Sequence, residues 1–186
     1  MTNIPIKAQK QVVRFFDGLE VEGYRMPSGE FRVGLASASR ALGFDREWLS
    51  DAAGGKSPRT LKVLQGIGFS QQIEKVSAQS NQGNWLDDST ISLDDFNTCI
   101  IYGTKKDKPS ALALNKAFTR LSLMDFFRDA FGEPPLSIEE KRRLFYEAYA
   151  TSISPSEWRE MEMKDILELA LSGDEDHVKG GKWNRY

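Results

Sequence analysis

One long helical pattern, from Ser110 to Phe131, constrains the fold of this chain more than any other stretch. Apolar residues recur there at three- and four-residue steps, which places them in a wide stripe along one side of a helix. The stripe consists of Leu112, Leu114, Ala117, Phe118, Leu121, Met124, Phe127, Ala130 and Phe131. Gly132, followed by two prolines, ends the pattern. We therefore expect this helix to be the packing spine of a domain.

The first third of the chain predicts a small antiparallel sheet. Residues 11–17 and 19–27 read as strands joined at Asp17-Gly18, a dipeptide favoured in tight hairpins. A turn at 26–30 leads to a third strand at 31–35, which completes a meander. The apolar residues of the second strand do not all fall on one face of a regular strand, which indicates a bulge near Gly23.

Residues 36–66 predict three short helices. The first covers 36–42 and stops at Gly43; the second is capped by Asp45; the third starts at Ser57-Pro58, with serine at the cap and proline at the first helical position. A helix, a glycine turn and a second helix make the general shape of a small DNA-reading unit. Many ordinary helical cores share that shape.

The polar stretch 69–91 allows two interpretations. Residues 72–78 can pair as a strand and 80–84 then form a turn, so the segment could occupy the place of a wing in a winged-helix unit. It could equally be a loop with one edge strand. Ser92 then caps a helix over 93–102.

The C-terminal part predicts an acidic helical hairpin. Capping-box patterns at 137–140 and 154–157 open helices that run to about Ala150 and Leu171. The predicted organisation is a domain at 1–132, the hairpin at 133–173 and a charged tail at 174–186. The expected fold class is α+β: a small N-terminal meander, a mostly helical core and the hairpin.

Composition excludes several functional classes. The 186 residues contain one cysteine, Cys99, and one histidine, His177, which excludes an internal disulfide and multi-histidine metal sites. Cys99 lies in an apolar helical run and is expected to be buried, and Trp48 and Trp85 are expected in the core or at its rim. The stretch Gly54-Gly55-Lys56-Ser57 lacks the spacing of a nucleotide-binding loop. We predict no catalytic residues, no metal and no cofactor.

No apolar run reaches the roughly 20 residues that span a membrane, and the N-terminus lacks a signal-peptide core, so we predict a cytoplasmic protein. Charge is uneven although the net charge is only −2. Residues 25–65 carry a net +3 and residues 100–128 a net +4. Such a basic surface is compatible with a polyanionic partner.

A family resemblance adds to this pattern. The order VEGYRMPSGEFRVGLASASRALGF, a basic helical segment, then SLDDFNTCIIYGTKKDKPSALALNKAFTRLSLMDFFRDAFG resembles the Bro-N and KilA-N group of antirepressor-type proteins of phages and cyanobacteria. The resemblance implies a β-hairpin followed by helices that address double-stranded DNA, and a C-terminal part that contacts a partner. The predicted contact residues are Arg32, Arg40, Arg46, Lys56, Ser57, Arg59, Lys62, Lys105, Lys106 and Lys108.

The leading hypothesis is a non-enzymatic DNA-binding regulator, with a protein partner or a homodimer contact through 133–186. A second hypothesis is an interaction adaptor or inhibitor that acts through the acidic C-terminal helices. A third is a metal-dependent, homing-endonuclease-like nuclease, or its recognition portion, using the tail carboxylates at 174–176 with His177.

Overall fold

The computed structural model describes residues 5–79, 83–157, 159–160 and 163. The chain divides into two compact units, residues 1–152 and residues 153–186. The first unit is α+β, as predicted. Its elements in chain order are β1 (Ile6–Lys7), β2 (Gln9–Phe16), β3 (Leu19–Arg25), β4 (Phe31–Gly34), α1 (Leu35–Ala41), α2 (Trp48–Ala53), α3 (Pro58–Gly66), β5 (Glu74–Gln79), β6 (Trp85–Ser92), α4 (Leu93–Lys105), α5 (Pro109–Ala130) and α6 (Ile138–Ala150).

The strands form one mixed sheet in the order β1-β5-β6-β4-β3-β2. Only β1 and β5 are parallel; the other pairs are antiparallel. Because Ala8 alone separates β1 from β2, the two edges of the sheet are parts of one nearly continuous strand. The Ala8 N–H donates to the carbonyl of Ser77 on β5 at 3.0 Å. The sheet therefore curls into a small barrel, which leaves few free edges.

The predicted meander is confirmed in β2, β3 and β4, with Gly18 in the left-handed region at φ 102°. The bulge lies elsewhere than predicted. The β2–β3 register shifts between Arg14 and Phe16, whereas Gly23 keeps regular pairing. A Cβ at Gly23 would lie 2.6 Å from the Val13 Cγ2 atom, so this glycine makes room for a cross-strand neighbour.

The strand predicted over 72–78 is confirmed in β5, which forms a second hairpin with β6, but neither the wing nor the loop with one edge strand is correct. β6 pairs with β4 on one side and β5 on the other, so it is a central strand of the sheet. A wing or an edge-strand loop would lie outside the sheet. The sequence of β6 lacks the pattern of a central strand, because Trp85, Leu86 and Asp87 are exposed and only Thr90-Ile91, near its end, is fully buried.

The three short helices form where predicted. Gly43 ends α1 with φ 76°, and Ser57-Pro58 starts α3, although the Ser57 side chain makes no capping hydrogen bond. The start of α2 differs: Glu47, not Asp45, is its N-cap, without a side-chain cap bond. A tight turn over residues 45–48 delays the helix, since the Trp48 N–H donates to the Asp45 carbonyl at 2.9 Å.

The long helix α5 acts as a packing spine only in its first half. Ala111, Ala113, Leu114 and Ala117 are buried, whereas large apolar side chains beyond residue 122 are exposed. The 13-residue α4 is ~20 Å long and the 22-residue α5 ~33 Å, so α4 covers only part of α5. Helix α6 contacts a different side of α5, the one that carries Phe118 and Asp125. Among the described residues, no helix has the length and apolarity needed to cross a membrane.

Helix α6 belongs to the first unit, although the predicted domain boundary lay at residue 132. It packs on α5 and β2 through Phe145, which stacks on Phe15 at 5.3 Å and meets Phe118 edge-on at 4.9 Å. Its capping box, between Ser137 and Glu140, is confirmed.

In the second unit, the capping box between Ser154 and Glu157 is also present, with the Ser154 N–H donating to Glu157 at 2.7 Å. The Glu157 pKa is lowered first by the Ser154 hydroxyl and then by this backbone contact. The remainder of the predicted helix to Leu171 and the tail 174–186 lie largely outside the described residues.

Replacing Ser137 with alanine should lower the free energy of unfolding by about 1 kcal/mol, because the cap satisfies an end N–H of α6.

The pKa of Glu140 is lowered by hydrogen bonds from the Ser137 backbone and side chain. A lowered folded-state pKa means that stabilisation is present above the unfolded-state pKa and is lost as the pH falls through the folded-state value. Urea unfolding should show that Glu140→Gln destabilises the protein more at pH 7 than at pH 3; an equal effect at the two pH values would contradict this.

Candidate nucleic-acid interface

Arg32, one of the predicted contact residues, is a buried structural side chain. Its guanidinium is 3% exposed and donates to Glu30 at 2.7 Å, to the Thr90 hydroxyl at 3.0 Å and to the carbonyl of Gln72 at 2.6 Å. It lies 4.0 Å from a Glu74 oxygen. A group held on all sides within the protein cannot reach a phosphate, so the prediction for Arg32 is wrong.

Three aromatic rings form a stack where the turn after α1 meets the end of α4. Phe44 and Trp48 lie nearly parallel, with centroids 3.9 Å apart and planes 10° apart. Tyr102 lies 5.6 Å from Trp48 and 6.1 Å from Phe44. Phe44 and Trp48 are half-buried, so the stack belongs to the rim of the core. Packing of this kind fixes the turn rigidly against α4.

Two lysines of the α4–α5 turn lie over this stack. The Lys108 ammonium is 4.8 Å from the Phe44 centroid and the Lys106 ammonium is 5.7 Å from the Tyr102 centroid. Both distances are within the range of cation–π attraction. We call Phe44, Trp48, Tyr102, Lys106 and Lys108 the lysine–aromatic platform.

Two glycines allow the turn after α1 and the end of α4 to lie close to each other and to the start of α5. A Cβ at Gly43 would lie 3.0 Å from the Ser110 Oγ atom, and one at Gly103 would lie 2.5 Å from the Ala111 Cβ atom and 3.4 Å from the Phe44 ring. Gly43 also needs its positive φ. The platform therefore rests on close contacts between segments 60 residues apart in the sequence.

Three further predicted residues flank the platform. Arg40 lies in the last turn of α1, Arg46 lies two residues after Phe44, and Lys105 lies in the last turn of α4. All three are exposed. The stack joins the two stretches of the sequence that carry these cations, since Phe44 and Trp48 contact Tyr102.

The predicted contacts on α3 form a separate group. Lys56 is exposed but pairs with Asp51 at 2.8 Å, and this hydrogen bond raises its pKa. Ser57 is half-buried at the cap, whereas Arg59 and Lys62 are exposed. Helix α3 packs on α2 and α4. Its cations are available to solvent without the aromatic support that the platform provides.

Sequence reasoning missed Phe44 and Tyr102 as site residues. The only local signal is that each adjoins a glycine, Gly43 and Gly103, which the long-range contact requires. The rim position expected of Trp48 is confirmed. Trp85 is 51% exposed, with the Lys7 ammonium 5.1 Å from its ring, so its expected place in the core or at the rim is wrong.

Other polar groups inside the fold are paired in ways that hold its structure. Asp95 accepts hydrogen bonds from the backbone N–H and hydroxyl of Ser70 at 2.7 and 2.6 Å, which fastens the segment after α3 to α4. Cys99 is buried, as predicted, and burial followed by the Asp95 charge raises its pKa to about 12. Its thiol is therefore unreactive at neutral pH.

One end of the barrel interior carries internally paired charges. Tyr24 donates to Asp88 at 2.6 Å, and Lys10 pairs with Glu22. Burial, then Asp88, raises the Tyr24 pKa above its usual range. In the described residues no group of three or more metal-ligating side chains occurs. The residues 174–177 of the nuclease hypothesis lie outside that part of the chain.

Helix α6 is electrically balanced, with three acidic and three basic residues. The acidic surface of the adaptor hypothesis therefore does not reside on α6. Acidic residues accumulate beyond residue 155, most of them outside the described part of the chain.

Comparison of the chain with protein-family models, curated proteins and solved structures gave no match.

Proposed function

We propose that this protein is a non-enzymatic DNA-binding regulator of the phage-antirepressor type and that it contacts double-stranded DNA through the lysine–aromatic platform. The observation that carries the proposal is the position of Lys106 and Lys108 over a rigid aromatic stack, with the exposed Arg40, Arg46 and Lys105 within four residues of its rings in the sequence. The sequence over roughly residues 19–132, which resembles the Bro-N and KilA-N group, supports the same function. A regulator of this type acts in the cytoplasm.

The platform and its flanking arginines supply the two kinds of contact that duplex binding requires, contacts to phosphates and contacts to base edges. Lysine and arginine neutralise phosphates and release condensed counterions, which provides most of the affinity at low salt. Lys106 and Lys108 rest over aromatic rings, so less rotamer freedom is lost when they meet a phosphate. Arg40 and Arg46 flank the turn that holds Phe44, which places guanidinium groups suited to base edges beside the phosphate contacts.

The aromatic geometry favours duplex over single-stranded DNA. Proteins that bind single strands offer ring faces on which unpaired bases stack. Here Phe44 is stacked by Trp48 and covered by Lys108, while Tyr102 is 5% exposed. The rings support the cations instead of presenting free faces.

Fluorescence anisotropy with a random duplex and a single strand of equal length tests the proposal. At about 50 mM salt we expect micromolar or tighter duplex binding, weaker single-strand binding and a steep loss of affinity as salt rises. An anisotropy that stays flat with duplex at low salt would refute the proposal. Tighter binding to the single strand would refute the duplex assignment.

A further inference from the structure

The second half of α5 exposes an apolar surface that the core does not use. The exposed fractions are 54% for Leu123, 36% for Met124, 73% for Phe126, 63% for Phe127 and 79% for Phe131. We call these five residues the α5 apolar face. Single exposed apolar residues are ordinary on protein surfaces, but a contiguous group of this size marks an interaction site.

The face continues into grooves on both of its sides. Leu123 lines a groove of about 680 Å³ together with Lys116, Arg120 and Phe127. It also lines a second groove of about 470 Å³ that extends to Leu93 and Phe96 on α4. Protruding phenylalanines beside apolar grooves give one surface both the knobs and the holes of a helix-packing contact.

The exposed area matches what a dimer requires. Three phenylalanines at these exposures present roughly 400 Å², and the whole face roughly 600 Å². Two copies meeting through it would bury roughly 1,200 Å², the lower end of the range for stable, specific interfaces.

Charges at the border of the face suit a second copy better than a strongly charged partner. Lys116 and Arg120 lie toward the N-terminal end; Asp129 lies toward the C-terminal end, where Arg128 is paired with Glu133 at 2.7 Å. Both signs are present, so two copies meet without net repulsion. In an antiparallel arrangement, the basic end of each helix lies toward the acidic end of the other.

We propose that this face is a homodimer interface, in which α5 helices of two copies pack antiparallel with Leu123 near the two-fold axis. A two-fold contact is self-complementary, so Phe126 and Phe127, which border the grooves of one copy, insert into those of the other. The dimer would present two lysine–aromatic platforms, but the inference does not depend on DNA binding.

Sedimentation equilibrium of the full chain tests the association. We expect the mass of a dimer at micromolar concentrations and at least a 100-fold rise in the dissociation constant for Phe127→Glu, which places a charge in the apolar contact. Phe31→Glu is the matched control, because Phe31 is 58% exposed on β4, outside the face. A monomeric wild type up to about 200 µM, or equal weakening by the control, would overturn the proposal.

Cross-linking tests the geometry. Because Cys99 is buried, a Leu123→Cys variant carries one reactive thiol per chain. A short bis-maleimide should convert that variant to covalent dimers, whereas Val63→Cys, on the exposed side of α3, should remain monomeric. Equal cross-linking of the two variants would contradict an α5 interface.

Discussion

Replacing Arg32 with alanine is expected to lower the free energy of unfolding by about 2–4 kcal/mol, because the change removes the hydrogen bonds of a buried guanidinium. Arg32 is 3% exposed and donates to Glu30, to Thr90 and to the Gln72 carbonyl. Without the guanidinium, the carbonyls of Gln72 and Thr90 lose their donor inside the barrel. Unpaired buried acceptors are costly because water cannot replace the lost hydrogen bonds.

Arg14→Ala is the matched control for this change. Arg14 pairs with Glu20 in the same sheet at 3.3 Å, but both side chains are about half exposed. An exposed pair of this kind contributes at most about 1 kcal/mol. Urea unfolding followed by circular dichroism should therefore separate the two variants by several-fold in ΔΔG; similar small losses for both would contradict the structural role of Arg32.

The second large effect concerns the platform. Replacing Lys105, Lys106 and Lys108 together with alanine should weaken duplex binding about 100-fold at 0.1 M salt, because three phosphate contacts and their counterion release are lost. Lys105 ends α4 and the other two lie in the turn that follows it; none of the three is fully buried, so the protein should stay folded. Anisotropy measures the affinity and circular dichroism checks the fold.

A variant of equal charge tests the location of the interface. Lys56, just before α3, and Arg59 and Lys62 on α3 were also predicted from the sequence as contacts, and replacing all three with alanine removes the same charge. We expect at most a few-fold effect, since Lys56 is already paired with Asp51 and the set lacks aromatic support. A larger loss for the α3 variant than for the turn variant would move the interface to α3.

Local signals explain which parts of the fold were predictable. Capping residues such as Ser92 and Ser137, and turn glycines such as Gly18 and Gly43, act within a few residues, so helix and hairpin boundaries follow from the sequence. Closure of the barrel depends instead on Ala8 meeting β5, about 70 residues away. No local pattern encodes such a contact.

Two misassigned residues show the same limit in physical terms. Arg32 alternates along β4 as an ordinary polar residue, and only the curled sheet places Thr90 and Gln72 around it. Phe127 follows the apolar stripe of α5, yet the length of α4 leaves it uncovered. Periodicity predicts which residues share a face but not whether another element covers that face.

The basic residues of the candidate site could be predicted from the sequence, but the aromatic rings beneath them could not. The basic loop at 105–108 and the arginines around Gly43 stand out in the sequence. These two segments are joined in the fold by the stacking of Phe44 and Trp48 with Tyr102, which the sequence does not reveal. Aromatic residues in a chain are more often core than site, so their types alone gave no signal.

The salt dependence of duplex binding tests the central claim most directly. The slope of log affinity against log salt should be shallower by about 3 for the Lys105, Lys106 and Lys108 alanine variant than for the wild type, and unchanged for the Lys56, Arg59 and Lys62 variant. Identical slopes for the wild type and the turn variant would show that these lysines meet no phosphate, and would contradict the platform as the DNA-binding surface.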